Sequence, residues 1–353
     1  MMKTGDLIEL TVSDLAFGGD GVARHDGRVM FVPLTVSGDR IQARVTKVSA
    51  QFARAELTEL RQEGAGRCEP RCRYFTDCGG CQYQHMDYAT QLTAKSRQLR
   101  EVLARIGGIA DPEILPWLVS PREYGYRNRI SVHHEGRAIG FRARDGRRLV
   151  DVERCELASD EVNAKLRHLR RHPGRREHYS LREERIPELG FYQANKFLLP
   201  AFQKKVAELC LTVSARRIVE CYGGAGFFTA PLAAAGREVT MIESDARLVA
   251  EAKKQLPPTV SVLAGECETW LPELLAQPEP ALILLDPPRE GLSRTMRDLL
   301  ARSSSAGLVY VSCNPATLAR DLKQLANRWR PRLFQPIDLF PQTAHFECVA
   351  VCD

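Results

Sequence analysis

Five of the eleven cysteines stand where chemistry can use them. Cys68, Cys72, Cys78 and Cys81 fall within fourteen residues, whereas Cys313 lies far downstream in Ser312-Cys313-Asn314-Pro315. Cys72 to Cys81 has the spacing C-x5-C-x2-C, and with Cys68 the group can hold either zinc or an iron–sulfur cluster; spacing alone leaves both open. Cys313 is a candidate nucleophile, against the alternative of a thiol that only packs behind a strand. Two other motifs bear on that choice. Asp286-Pro287-Pro288-Arg289-Glu290-Gly291 follows an apolar run, and Phe340-Pro341-Gln342-Thr343-Ala344-His345-Phe346-Glu347 places a carboxylate near the end of the chain.

A glycine-rich turn, Tyr222-Gly223-Gly224-Ala225-Gly226, separates the strand-like Arg217 to Glu220 from helix-like sequence. Glycines there let backbone amides approach a ligand at a helix N-terminus. The turn lacks the G-x-G-x-x-G dinucleotide pattern. An acidic residue on the opening strand and Glu243 at the end of the next fit S-adenosylmethionine, with Glu243 accepting hydrogen bonds from the ribose hydroxyls. An Asp-Pro-Pro motif followed by an aromatic residue would suit methylation of an exocyclic amine, but Arg289 follows here. A cysteine plus a carboxylate beside such a site suits methylation of a pyrimidine at C5. Uracil C5 is a poor nucleophile, so a thiolate must first add to C6, and a base must later remove the C5 proton. Cys313 and Glu347 are the candidates for those two roles.

Three stretches must position these groups. From about Gly5 to Leu60, β-branched runs such as Ile8 to Val12, Arg28 to Val32 and Ile41 to Val48 alternate with glycine turns. Five short strands are expected, closing into a small barrel of the oligonucleotide-binding kind. From about Gly64 to Leu189 come the cysteine cluster, a helix over Tyr88 to Ile106 and a strand-rich region around Tyr124 to Val152. From about Ala201 helices and strands alternate, as in a parallel sheet covered on both faces. The predicted domains are therefore residues 1–61, 62–189 and 190–353.

Composition bounds the function classes. With 353 residues, 44% of them hydrophobic, the chain can bury several cores. No apolar leader or membrane-length run is present in this sequence, so a cytoplasmic protein with no membrane partner is expected, in a compartment where clustered cysteines serve metal or catalysis. The net charge of +6 is unevenly spread. Arg167, His168, Arg170, Arg171, His172, Arg175, Arg176, His178 and Arg182 crowd one stretch, which is either a solvated helix face or a phosphate-binding surface.

Leu15-Ala16-Phe17-Gly18-Gly19-Asp20-Gly21-Val22-Ala23 with Val29-Met30-Phe31-Val32-Pro33 resembles the TRAM domain, an RNA-binding barrel. The Asp286 and Cys313 motifs, the Phe340 to Glu347 segment and Phe191-Tyr192-Gln193-Ala194-Asn195 together resemble the RNA uracil-5-methyltransferases over essentially the whole chain. RNA cytosine-5 enzymes match less well, because they carry a second cysteine where this chain has Asp286-Pro287-Pro288. The resemblance implies a Rossmann-like S-adenosylmethionine-dependent α/β domain, preceded by the barrel and a small central α+β iron–sulfur domain. It implies that Gln193, Tyr222, Gly223, Glu243 and Asp286 form the cofactor pocket, that Cys313 is the nucleophile and that Glu347 is the proton-abstracting base. It further implies a [4Fe-4S] cluster on Cys72, Cys78, Cys81 and the distant Cys155, leaving Cys68 spare. The expected partner is RNA bound by a monomer, 23S ribosomal RNA ahead of transfer RNA; a non-catalytic, cluster-carrying RNA-binding protein is the alternative of a different class. Two departures bear on the RNA target. The Cys155 to Gln193 stretch is short for the family, and the turn reads Tyr-Gly-Gly-Ala-Gly-Phe-Phe where Phe-Cys-Gly-x-Gly-Asn-Phe is more usual.

Overall fold

The computed structural model describes residues 2–184 and 195–353. They pack as two compact units that do not follow consecutive stretches of chain. One comprises residues 1–98, 122–183 and 340–345; the other comprises 99–121, 184–339 and 346–353.

In the first unit, six strands form one sheet: β1 (Leu7–Thr11), β2 (Asp14–Leu15), β3 (Gly21–His25), β4 (Arg28–Val32), β5 (Arg40–Val48) and β6 (Phe52–Gln62). Alternation along them turns Leu10, Ala23, Met30, Val32, Ile41, Ala43, Val45, Ala53 and Ala55 to one shared core. The expected closed barrel is not formed by hydrogen bonds. The order β1-β5-β6-β4-β3-β2 leaves β1 and β2 unjoined. The two-residue β2 is too short to supply a closing ladder, so the sheet curls without sealing. Helix α1 (Tyr88–Arg105) follows, then an antiparallel sheet of β7 (Arg129–Glu135), β8 (Ala138–Arg142) and β9 (Leu149–Asp151). Helix α2 (Asp160–Arg171) is capped by Ser159, and β10 (His178–Arg182) returns to pair with β7.

The second unit is built on a seven-stranded sheet. Its elements are α3 (Leu199–Leu211), β11 (Arg217–Cys221), α4 (Thr229–Ala234), β12 (Glu238–Glu243), α5 (Ala246–Gln255), β13 (Ser261–Ala264), α6 (Cys267–Leu275) and β14 (Ala281–Leu285). Then come α7 (Arg294–Ala301), β15 (Gly307–Ser312), α8 (Pro315–Leu325), β16 (Pro331–Ile337) and β17 (Glu347–Cys352). The order is β13-β12-β11-β14-β15-β17-β16. The first five strands are parallel, whereas β17 runs antiparallel to both of its neighbours. The sheet is thus mixed where the sequence suggested a parallel one. No helix intervenes between β16 and β17, and without a helical crossover two strands pair antiparallel. The strands are nearly continuous apolar runs because both faces are covered. Leu271, Met296, Leu300, Leu318 and Leu322 from α6 to α8 pack on one face, with Leu99 and Leu103 of α1. Met241 meets Ala252 of α5 and Leu256 just beyond it on the other. Among the described residues, no helix is long and apolar enough to cross a membrane.

Candidate active site

Strand register brings the sequence-predicted residues of the second unit to one end of the sheet. Cys221 lies level with Ile242 on β12 and with Leu285 on β14. One residue further along, Tyr222, Glu243 and Asp286 therefore line the carboxyl ends of three adjacent strands, where open α/β sheets hold ligands. Ser312 pairs with Cys348 across the antiparallel β15–β17 ladder. Continuing that register sets Cys313 opposite Glu347, and side chains so opposed share a face at about 5 Å between Cβ atoms. Alternation from Val309 and Leu284 puts Glu220, Asp286, Cys313 and Glu347 on the same face.

Electrostatics agree with this placement. Burial raises the Glu347 carboxyl to about 8, with the nearby Asp286 charge adding to the effect. Burial alone raises Asp286 to about 7. Glu220, which is 1% exposed, is pushed up to about 8 by burial, against the lowering effect of the hydrogen bond it accepts from Thr229 Oγ1 at 2.5 Å. The Cys313 thiol rises to about 11, first by burial, then through Glu347 and Asp286, with Arg289 opposing. Three carboxyl groups and a thiol on one buried face cannot all ionise together.

The glycine turn owes its shape to specific contacts. Gly224 N–H donates to Glu243 Oε2 at 2.9 Å and Asp245 N–H to Glu243 Oε1 at 2.8 Å. Both Glu243 oxygens are thus fixed by backbone, and each keeps a lone pair for a further donor. Tyr222 adopts φ of +63°, a left-handed conformation that costs a non-glycine residue about 1–3 kcal/mol. A Cβ at Gly223 would come within 2.2 Å of Met241 Cγ, so only glycine fits there.

The Asn-Pro pair after Cys313 is a helix start. Asn314 caps α8 by accepting from Ala316 N–H at 3.1 Å, and Pro315 takes the first turn. The same helix grips the loop after Asp286. Thr317 Oγ1 donates to the Arg289 carbonyl at 3.3 Å and Arg320 Nη2 to that of Glu290 at 2.8 Å. Asp321, fully buried, accepts from Leu292 N–H and Tyr310 O–H, both at 2.9 Å. Sequence reasoning missed Asp321. The available signal was a carboxylate on the buried stripe of α8, between Leu318 and Leu322.

In the first unit, Cys72, Cys78, Cys81 and Cys155 all line one pocket of about 70 Å³. Cys68 does not line it and is exposed. Main-chain bonds shape the loop: Cys78 N–H donates to Tyr74 C=O at 2.7 Å, and Arg144 Nη2 donates to the Phe75 and Cys81 carbonyls, both at 2.8 Å. Asn163 holds the other side, accepting from Cys155 N–H at 2.9 Å and donating to the Cys155 carbonyl at 3.0 Å. Burial raises all four thiols, Cys81 to about 12. Among the described residues no three His, Cys, Asp or Glu side chains are close enough to hold a single metal ion.

The fold and site can now be set beside known proteins. The model described as TRAM domain matches residues 2–58, and that described as tRNA (Uracil-5-)-methyltransferase matches residues 275–352. An uncharacterized RNA methyltransferase of Gloeobacter violaceus is 30% identical over 446 aligned positions, which cover 99% of this chain and 97% of that protein. This chain belongs to the RNA (uracil-5-)-methyltransferase family. A second relative, the 23S rRNA (uracil(1939)-C(5))-methyltransferase of Thiobacillus denitrificans, is 29% identical, with 94% of this chain and 96% of that one covered. Among solved structures, the tRNA (uracil-54, C5)-methyltransferase of Pyrococcus abyssi, in complex with S-adenosyl-L-homocysteine, has a TM-score of 0.74 at 22% identity, covering 98% and 99% of the two chains. The likeness of fold spans nearly the whole chain. Of the site residues the family implies, Gln193 lies outside the described residues; Tyr222, Gly223, Glu243, Asp286, Cys313 and Glu347 fall at one sheet end.

Proposed function

We propose that this methyltransferase transfers a methyl group from S-adenosylmethionine to C5 of a specific uridine in 23S ribosomal RNA, through a covalent bond between Cys313 and C6. The observation that carries the reading is Cys313 opposite Glu347, with Asp286 alongside, at the carboxyl end of the sheet. The Cys313 thiolate adds to C6, and the electron pair of the C5–C6 bond moves onto C5 and the O4 carbonyl as an enolate. S-adenosylmethionine would supply an electrophilic methyl group, which becomes bonded to C5 as its bond to the sulfonium breaks and S-adenosylhomocysteine leaves. Glu347, charged once its proton has moved on, takes the C5 proton, and the C6–S bond breaks to restore the ring and the thiolate. Glu243 is placed to receive ribose hydroxyls, and the glycine turn to lie against the methionine part. The uridine must leave its stack to reach Cys313, so an unpaired or flipped base is the substrate.

The 23S assignment is favoured by the named relative of Thiobacillus denitrificans, aligned over nearly its whole length. A [4Fe-4S] cluster on Cys72, Cys78, Cys81 and Cys155 completes the proposal. Four thiols around one pocket suit it. A four-iron cluster spaces its cysteines wider than a single ion does, which is consistent with thiols that share a pocket without converging on one point. Methyl transfer needs no electron, so the cluster is structural or positions RNA. Incubation with labelled S-adenosylmethionine and RNA from a strain lacking the enzyme, followed by mass-spectrometric mapping, should reveal 5-methyluridine in 23S RNA. Label in transfer RNA alone would replace the target; no 5-methyluridine anywhere would remove the activity. Anaerobically purified protein should show iron–sulfur absorption and Mössbauer signals, and a colourless protein with one tight zinc would overturn the cluster.

A further inference from the structure

The four-cysteine pocket contains a cation with an unpartnered donor. Arg127 lines the pocket, and its Nε is buried with no hydrogen-bond acceptor among the described residues. Main-chain bonds fix it beside Cys155: Arg127 N–H donates to the Leu157 carbonyl at 2.8 Å, Ser159 N–H donates to the Arg127 carbonyl at 2.9 Å, and Ala158 N–H closes back on the Cys155 carbonyl at 3.1 Å. The rest of the Arg127 guanidinium engages Tyr126 and lies over the Phe340 ring at 5.9 Å, which leaves Nε over, whereas the other arginines lining or touching the pocket are committed elsewhere. Arg144 grips the Phe75 and Cys81 carbonyls, and Arg154 reaches Asp160 at 3.0 Å and Glu156 at 3.4 Å. A buried N–H without an acceptor costs about 1–3 kcal/mol, so its retention in a pocket of thiols points to a ligand with sulfur acceptors and negative charge.

We propose that Arg127 is a positioning and charge-balancing residue for the cluster, its Nε–H donating to a cluster sulfide or to a Cys155-side thiolate. This rests on the iron–sulfur reading above. Four thiolates leave an oxidised [4Fe-4S] centre with a net charge of about −2. A buried guanidinium stabilises that charge, and stabilises the further electron of the reduced state more. Hydrogen bonds and charge near the sulfurs are the means by which a protein sets cluster potential and durability.

The test uses the full chain, purified anaerobically and reconstituted with iron and sulfide. Wild type, Arg127→Leu, Arg127→Gln and Arg127→Lys are compared for iron and sulfide content, reduction potential and rate of bleaching in air. The expected order of potential is wild type, then Lys, then Gln, then Leu as the most negative, with bleaching of the Leu variant several-fold faster. If the Leu variant fails to fold, the Lys and Gln variants still separate charge from donor. Wild-type protein carrying ¹⁵N-labelled arginine should in addition show a coupled nitrogen in pulsed electron paramagnetic resonance of the reduced cluster, absent in Arg127→Gln. Equal potentials and equal bleaching across the variants, with four irons bound, would overturn the role of Arg127 and leave the cluster standing. A wild-type chain that takes up no iron and sulfide would overturn both.

Discussion

At the scale of single residues, the proposed nucleophile, Cys313, sits where burial and neighbouring carboxylates disfavour its thiolate. Burial first, then Glu347 and Asp286, raise the Cys313 thiol to about 11. The sign of the Glu347 effect is testable. Removing that negative charge lowers the Cys313 pKa and raises its thiolate fraction, so Glu347→Gln should speed alkylation of Cys313 by iodoacetamide at pH 9, above the Glu347 value of about 8. A change of one unit in pKa corresponds to about tenfold in thiolate fraction below the pKa. Mass spectrometry of the Cys313 peptide separates it from the ten other thiols, and equal rates in the two proteins would show that the carboxylate does not face the sulfur. With RNA and S-adenosylmethionine present, Cys313→Ala should abolish the covalent protein–RNA adduct, whereas Glu347→Gln should let it accumulate because the C5 proton cannot leave. An adduct that survives Cys313→Ala would place the nucleophile elsewhere. Both residues were legible in the sequence because their motifs are local and their chemistry is demanding. The carboxylate cluster around them was not, since the proximity of Asp286 to Glu347 exists only once β14, β15 and β17 lie side by side.

Among the elements, α8 does more than cover the sheet. Its capped start carries Cys313 just before Asn314, and its second turn carries Asp321, whose carboxylate joins Leu292 N–H, Tyr310 O–H, Arg297 and Arg320. The loop from Pro287 to Gly291 is therefore fastened to the helix that follows the nucleophile. A Cβ on Gly291 would meet Asp321 Oδ2 at 2.4 Å, so the fastening also fixes a glycine. Replacing Asp321 by Ala leaves buried donors without acceptors and frees the loop. Misplacement of about 1 Å near reacting atoms can cost on the order of 10²-fold in rate. The expected outcome for Asp321→Ala is a kcat loss of that order with a smaller change in the affinity for S-adenosylmethionine, most of whose proposed contacts, Tyr222, Gly223 and Glu243, lie at the ends of β11 and β12. Single-turnover kinetics and equilibrium dialysis check the two halves; an unchanged kcat in a folded variant would remove the positioning role. The alternation of strands and helices from about Ala201 was readable because its runs are bounded by glycine, proline or charge, although β13 and α6 were not singled out. The sheet's antiparallel edge was not, because Pro331–Ile337 and Glu347–Cys352 are apolar runs whose direction is set by the connection between them. Barrel closure failed for a related reason: pairing between β1 and β2 is a long-range property, and two residues of β2 give no periodicity to read.

On the scale of the whole molecule, a net charge of +6 understates the charge available to RNA. The α2 to β10 region presents Arg167, Arg171, Arg175 and Arg176 as exposed side chains, while Arg170 is committed to Asp151 at 2.8 Å. The sequence showed the charge run but could not divide it into paired and unpaired members, because Asp151 comes from a distant strand. Hydrophobic spacing alone explains α2: Val162, Leu166 and Leu169 are buried, and the arginines fall on the opposite side. A solvated helix face and an RNA-binding face look alike by that criterion, and salt dependence distinguishes them. Cations that touch phosphates release counterions, so the logarithm of RNA affinity falls with the logarithm of salt by about 0.7–0.9 per contact. Changing Arg167, Arg171, Arg175 and Arg176 together to Gln should lower that slope by about 0.7 for each contact made and raise KM for RNA at physiological salt. The rate at saturating RNA should hold, because none of the four lies in the unit that carries Cys313 and Glu347. Filter binding at several salt concentrations measures the slope and steady-state kinetics the rest. A variant with the wild-type slope would return the four arginines to the role of a solvated face, and one with a lowered kcat would tie them to catalysis instead.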